Sequence, residues 1–87
     1  MFSQVRFQHL VICDDDTIFA AAREQETSFI RLFLIKERTG NVYRRNGRAG
    51  LWEEIFGTHR EYVVENIITA RNNGSIPTYR FNGSIGA

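Results

Sequence analysis

Asp14-Asp15-Asp16-Thr17-Ile18-Phe19-Ala20-Ala21-Ala22-Arg23 is the stretch on which the fold turns. Its three carboxylates suit the N-cap and first turn of a helix, where side-chain oxygens take free amide hydrogens and negative charge faces the positive end of the dipole. With Ile18, Phe19, Ala22 and Arg23 behind them, the stretch is expected to form a short helix. The acidic triplet then has a structural job. Ahead of it, Phe2 to Cys13 alternates, with Val5, Phe7, His9 and Val11 on one side and Gln4, Arg6 and Gln8 on the other. Period two marks a half-buried strand. From Leu10 to Ile12 both sides are apolar, which carries the strand's end into the interior.

Downstream, Ser28 to Lys36 is rich in Phe, Ile and Leu on both faces, broken only by Arg31, as suits a central strand. Arg38-Thr39-Gly40-Asn41 supplies a turn with glycine available for positive φ, and Val42 and Tyr43 begin a returning strand. Asn46 to Gly50 reads as a loop, and Leu51 to Phe56 as a helical turn or two closed by Gly57. Thr58 and Glu61 have the spacing of a capping box. A second helix is expected from there, striped by Tyr62, Val63, Ile67 and Ala70, widened by Val64 and Ile68, and ended by Asn72-Asn73-Gly74. Pro77 blocks continuation, Thr78 to Phe81 is β-prone, and the tail after it is expected to fray.

The resulting order is β-α-β-β-α-β. It implies an α+β fold with a single-layer antiparallel sheet and two helices on one face, the order of ferredoxin-like folds. The alternative is a three- or four-stranded antiparallel meander with a C-terminal helix, the first helix being only a turn.

With 87 residues, residues 1–87 are expected to form a single α+β domain, since two cores do not fit. Hydrophobic residues at 43% and charged residues at 24% are globular values and exclude a disordered tail or a collagen-like repeat. Cys13 is the one cysteine, so no internal disulfide forms and a reducing, cytoplasmic setting is expected. Met1 to Arg6 has no apolar signal core, and no apolar run has membrane-spanning length. The sequons at Asn73 and Asn82 accordingly read as turns.

A net charge of +1 gives no global pull toward a polyanion, but the charges are unevenly placed. Arg38, Arg44, Arg45 and Arg48 lie in a stretch without carboxylates, and Glu53, Glu54, Glu61 and Glu65 cluster after it. Lys36 is the one lysine among the basic residues, and arginine favours fixed, forked contacts. A strand apolar on both faces needs two covers, and helices on one face supply one. Hence the leading functional expectation is a small protein-interaction or regulatory module, as a homodimer or bound to a protein partner. Its candidate contact residues are Phe33, Arg38, Tyr43, Arg44, Arg45, Arg48, Tyr79 and Phe81.

The alternative is single-stranded nucleic-acid binding, with Phe33, Tyr43, Tyr79 or Phe81 stacking bases and Arg44, Arg45 and Arg48 holding phosphates. Asn41 to Gly47 does not match the RNA-recognition-motif signature. No catalytic motif, metal set, cofactor loop or membrane partner emerges. Carboxylates beside Cys13 oppose its thiolate, and the acidic triplet lacks metal spacing. A general base built from His9 and Glu61 is the one catalytic arrangement that the fold could assemble.

Overall fold

The computed structural model describes residues 4–46 and 50–81. Its elements are β1 (Val5–Ile12), β2 (Thr17–Glu24), β3 (Ile30–Lys36), β4 (Asn41–Asn46), β5 (Glu53–Ile55), α1 (Gly57–Asn73) and β6 (Thr78–Arg80). They form one six-stranded sheet in the order β5-β4-β3-β2-β1-β6, antiparallel except where β6 runs parallel to β1.

This corrects the expected order. The stretch after the acidic triplet is β2, not a helix, so among the described residues one helix covers a mixed sheet and the two-helix ferredoxin-like arrangement is excluded. The three- or four-stranded meander alternative also falls short, because it lacks two or three strands and the parallel pairing of β6. Leu51 to Phe56 contains β5 rather than a helical turn.

The reason lies in local bonding and in packing. Asp14 Oδ1 accepts from the amides of Asp16 and Thr17, both at 2.8 Å, and the Cys13 amide donates to Thr17 O at 2.9 Å. The carboxylate therefore caps a tight turn between β1 and β2, a competing use of the same chemistry that caps helices. Beyond it, alternation decides: Ile18, Ala20 and Ala22 join the core, while Thr17, Phe19, Ala21 and Arg23 face away. The small side chains have a packing role. Phe7 lies opposite Ala22 and Phe33 opposite Ala20, and the two rings meet above β2 with centroids 5.7 Å apart. Intrinsic helix preference yields to that fit.

β1 carries the second correction. Its register shifts between Phe7 and His9, a bulge that leaves Gln8 unopposed. Phe7 and Leu10 consequently both enter the core, although they are an odd number of residues apart, and His9 and Val11 turn to the other face. The uniform alternation of Val5, Phe7, His9 and Val11 holds only as far as Phe7.

The β3–β4 hairpin forms as expected, with Gly40 at φ 77° and its amide bonded to Lys36 O at 2.8 Å. α1 starts at Gly57, one residue before Thr58, and Phe56 at the N-cap makes no side-chain bond, so Thr58 does not cap the helix. Its other end follows the sequence: Gly74, left-handed at φ 64°, donates its amide to Ala70 O. A helix of 17 residues is about 25 Å long, and six strands at about 4.8 Å spacing make a sheet about 24 Å wide. One helix thus crosses one face from the β5 edge to the β6 edge. Val63 and Ile67 from α1 close a core with Phe7, Leu10, Ile18, Phe33, Ile35, Val42 and Ile55, all on that face.

Candidate interaction face

The other face of the sheet has no cover among the described residues. Side chains opposite one another in register point the same way, so the face can be read in rows. One row runs Tyr79, Val11, Phe19, Leu34, Tyr43, Glu54 across all six strands. The next runs His9, Ala21, Leu32, Arg45. Beyond one side of these lie Thr17, Lys36 and Asn41, and beyond the other Arg6, Arg23 and Ile30. Val11, Phe19, Leu32, Leu34 and Tyr43 are half-buried against each other and absent from the core cluster. Tyr79 is 58% exposed, and its ring meets that of His9 edge-on with centroids 6.0 Å apart.

The rim is cationic. Arg6, Arg23, Lys36 and Arg45 point to this face, and among the described residues none has a carboxylate within ion-pair distance. Lys36 Nζ donates to Thr17 Oγ1 at 2.8 Å, and Arg23 Nη1 to Ser28 O at 2.9 Å. Arg45 Nε is buried and has no acceptor among the described residues. The face's one carboxylate, Glu54, accepts from Asn41 Nδ2 at 2.6 Å. The ion pairs lie elsewhere: Glu24 with Arg31 at 2.9 Å and Glu53 with Arg44 at 3.7 Å, both on the helix side, and Glu37 with Arg71.

The expected contact residues are therefore divided. Tyr43, Arg45 and Tyr79 share the uncovered face. Phe33 does not: it is 1% exposed, in the core, with Phe7 on one side and His59 edge-on at 6.4 Å. Arg44 is on the helix side, where the burial of His59, and after it the charge of Arg44, hold the imidazole below its ordinary pKa. Arg38 sits in the β3–β4 turn and donates its amide to Asp16 Oδ1. Phe81 follows β6 and ties its amide to Ile12 O at 2.9 Å. Arg48 and the tail from residue 82 lie outside the described residues. Cys13 is half-buried at the end of β1.

Val11, Phe19, Leu32, Leu34, Lys36, Arg6 and Arg23 were not picked out from the sequence as a set. For Phe19 and Arg23 the available signal was the alternation of residues 17–24 once these form a strand; for the others only the pairing of the strands sets the face. His9 and Glu61 lie on opposite sides of the sheet, so the general base considered from the sequence is not assembled. No helix among the described residues is long and apolar enough to cross a membrane. Comparison with family models, with curated proteins and with solved structures finds no match.

Proposed function

We propose that the chain is a small interaction module that docks a protein through the uncovered sheet face. The observation that carries this reading is the aliphatic centre of that face, Val11, Phe19, Leu32 and Leu34, which belongs to no core and is rimmed by cations. Four rows across a sheet about 24 Å wide offer roughly 500 Å2 per partner, so a complex buries about 1,000 Å2, near the lower bound for specific association. Cations outnumber carboxylates on this face. An apolar partner surface with an acidic rim fits it better than a second copy does.

Leu34→Asp tests the proposal. It should leave the melting temperature within a few degrees, abolish binding of a hydrophobic dye to the native protein, and remove partners recovered with the wild-type chain. Unfolding by Leu34→Asp would place this row in the core and end the reading. Light scattering identifies self-association instead if the wild-type chain has twice the single-chain mass and Leu34→Asp does not.

A second reading, single-stranded nucleic acid, draws on Phe19, Tyr43 and Tyr79 lying on the same face as Arg23, Lys36 and Arg45. Exposed aromatic faces stack bases and unpaired cations hold phosphates. An oligonucleotide affinity that falls with salt, less steeply in Arg45→Ala, supports it. Absence of binding at low salt removes it.

A further inference from the structure

We propose that the groove between Arg6 and Arg23 is a site for a phosphate monoester. The two arginines are direct cross-strand partners on β1 and β2, an arrangement that is destabilising for like charges. Among the described residues neither has a carboxylate within ion-pair distance. The adjacent Glu24 is on the helix side, where Oε2 takes Arg31 Nε at 2.9 Å and Oε1 takes Thr27 Oγ1 at 3.1 Å. A groove of about 520 Å3 opens beside the pair, lined also by Gln8, Gln25, Ser28 and Glu24, whose two carboxylate oxygens are engaged by Arg31 and Thr27. Two forked cations with amide and hydroxyl donors around them form the donor set that a tetrahedral oxyanion accepts.

The surroundings are built to hold these groups in place. Ser28 is the one non-glycine residue with positive φ among those described, at 63°. Its carbonyl takes Arg23 Nη1, and the loop that sets it is closed by Ser28 N to Glu24 O at 2.9 Å and Glu24 N to Phe29 O at 2.8 Å. A backbone outlier held by such bonds is a feature of binding sites. On the opposite strand the bulge at Gln8 interrupts the pairing beside Arg6, and Gln8 Nε2 donates back to Arg6 O at 3.1 Å. The groove is larger than inorganic phosphate needs, which leaves room for the group that carries it.

Arg6 and Arg23 also rim the proposed docking face, so the site is tested on the chain without a protein partner. Titration of the full chain with O-phosphoserine, inorganic phosphate and acetate, at constant ionic strength, tests it by amide shifts in a two-dimensional NMR spectrum. O-phosphoserine should give saturating shifts at Gln8, Gln25 and Ser28, with phosphate at least threefold weaker and acetate tenfold weaker. Arg6→Gln and Arg23→Gln should each weaken O-phosphoserine tenfold, and Arg44→Gln should leave it unchanged. Phosphate should also raise the melting temperature of the wild-type chain but not of the double variant, by mass action. Equal affinity for phosphate and O-phosphoserine assigns the site to the free anion and overturns the monoester. Shifts that do not saturate, or that persist in the double variant, overturn the site altogether.

Discussion

Ala20 and Ala21 are neighbours in β2, yet one faces the helix and the other the uncovered face, and valine at each should act oppositely. Ala20 is fully buried opposite Phe33, beneath the ring that reaches Phe7 across β2. Two added methyl groups have no space there, and overpacking of this kind costs about 1–3 kcal/mol. Ala21 lies between His9 and Leu32 on the face that α1 does not cover, screened from water by those neighbours but with no element packed over it. A β-branched side chain suits a strand, so Ala21→Val is expected to change stability by less than about 0.5 kcal/mol. In a domain of this size each kcal/mol moves the melting temperature by roughly 4–8 °C. A cost of about 2 kcal/mol for Ala20→Val thus lowers it by about 8–16 °C, against no more than about 4 °C for Ala21→Val. Urea and thermal unfolding followed by circular dichroism measure both, and equal m-values show that the comparison is sound. A helix over the same residues would penalise both substitutions alike, by about 0.6 kcal/mol. Equal losses would refute the strand, the register and the account of why alanine stands there.

Glu24→Ala removes the acceptor of Arg31 Nε and Thr27 Oγ1 and should cost about 1.5–3 kcal/mol in urea unfolding, as expected for bonds to a charged group. Gly74→Ala puts a Cβ on the left-handed residue that ends α1 and should cost about 1 kcal/mol in the same assay, although the space around it is open. Stability should depend on pH through His59 and Asp14, because both have lowered pKa values in the fold and the unfolded chain therefore binds more protons. Burial, then the charge of Arg44, lowers His59, so part of the stability present above pH 6.5 is lost as pH falls below it. Urea midpoints should decline there in the wild-type chain and stay level in His59→Gln. A second decline below pH 3.8 should be smaller in Asp14→Asn, whose parent carboxylate is held down first by the Asp16 amide.

What could be read from the sequence was what short-range chemistry decides. The β3–β4 hairpin follows from Gly40 between two apolar runs, and the end of α1 from Gly74, because in each a single glycine answers a local backbone demand. The acidic triplet misled because an aspartate serves a tight turn and a helix start equally well, and only the partners beyond it choose between them. Ala20 and Ala22 needed Phe7 and Phe33 on the flanking strands to explain them. The bulge at Gln8 had no local signal: nothing in residues 5–12 shows where the register slips, and the slip reverses the face of every residue after it. The interaction face was hidden by parity on the other strands as well. Tyr43, Arg45 and Tyr79 were chosen for their chemistry and share the face, whereas Phe33 and Arg44, chosen on the same grounds, fall on the other side by parity.

The geometry also says where association can occur. A sheet recruits partners through its edge strands or through an uncovered face, and long edges are the usual hazard. Here the outermost strands are β5 and β6, each of three residues, and because β6 pairs only with Leu10, Val11 and Ile12, residues 5–9 of β1 form a further edge among the described residues. α1 crosses its face from edge to edge and leaves only narrow grooves along its flanks. The broad apolar surface is the face of Val11, Phe19, Leu32 and Leu34, whose side chains add nothing to the core that α1 closes. Folding alone would be served as well by threonine at those positions. Exchanging Leu32 and Leu34 together for threonine should therefore keep the fold while removing protein binding, and a loss of cooperative unfolding in that variant would show that the face is needed by the chain itself.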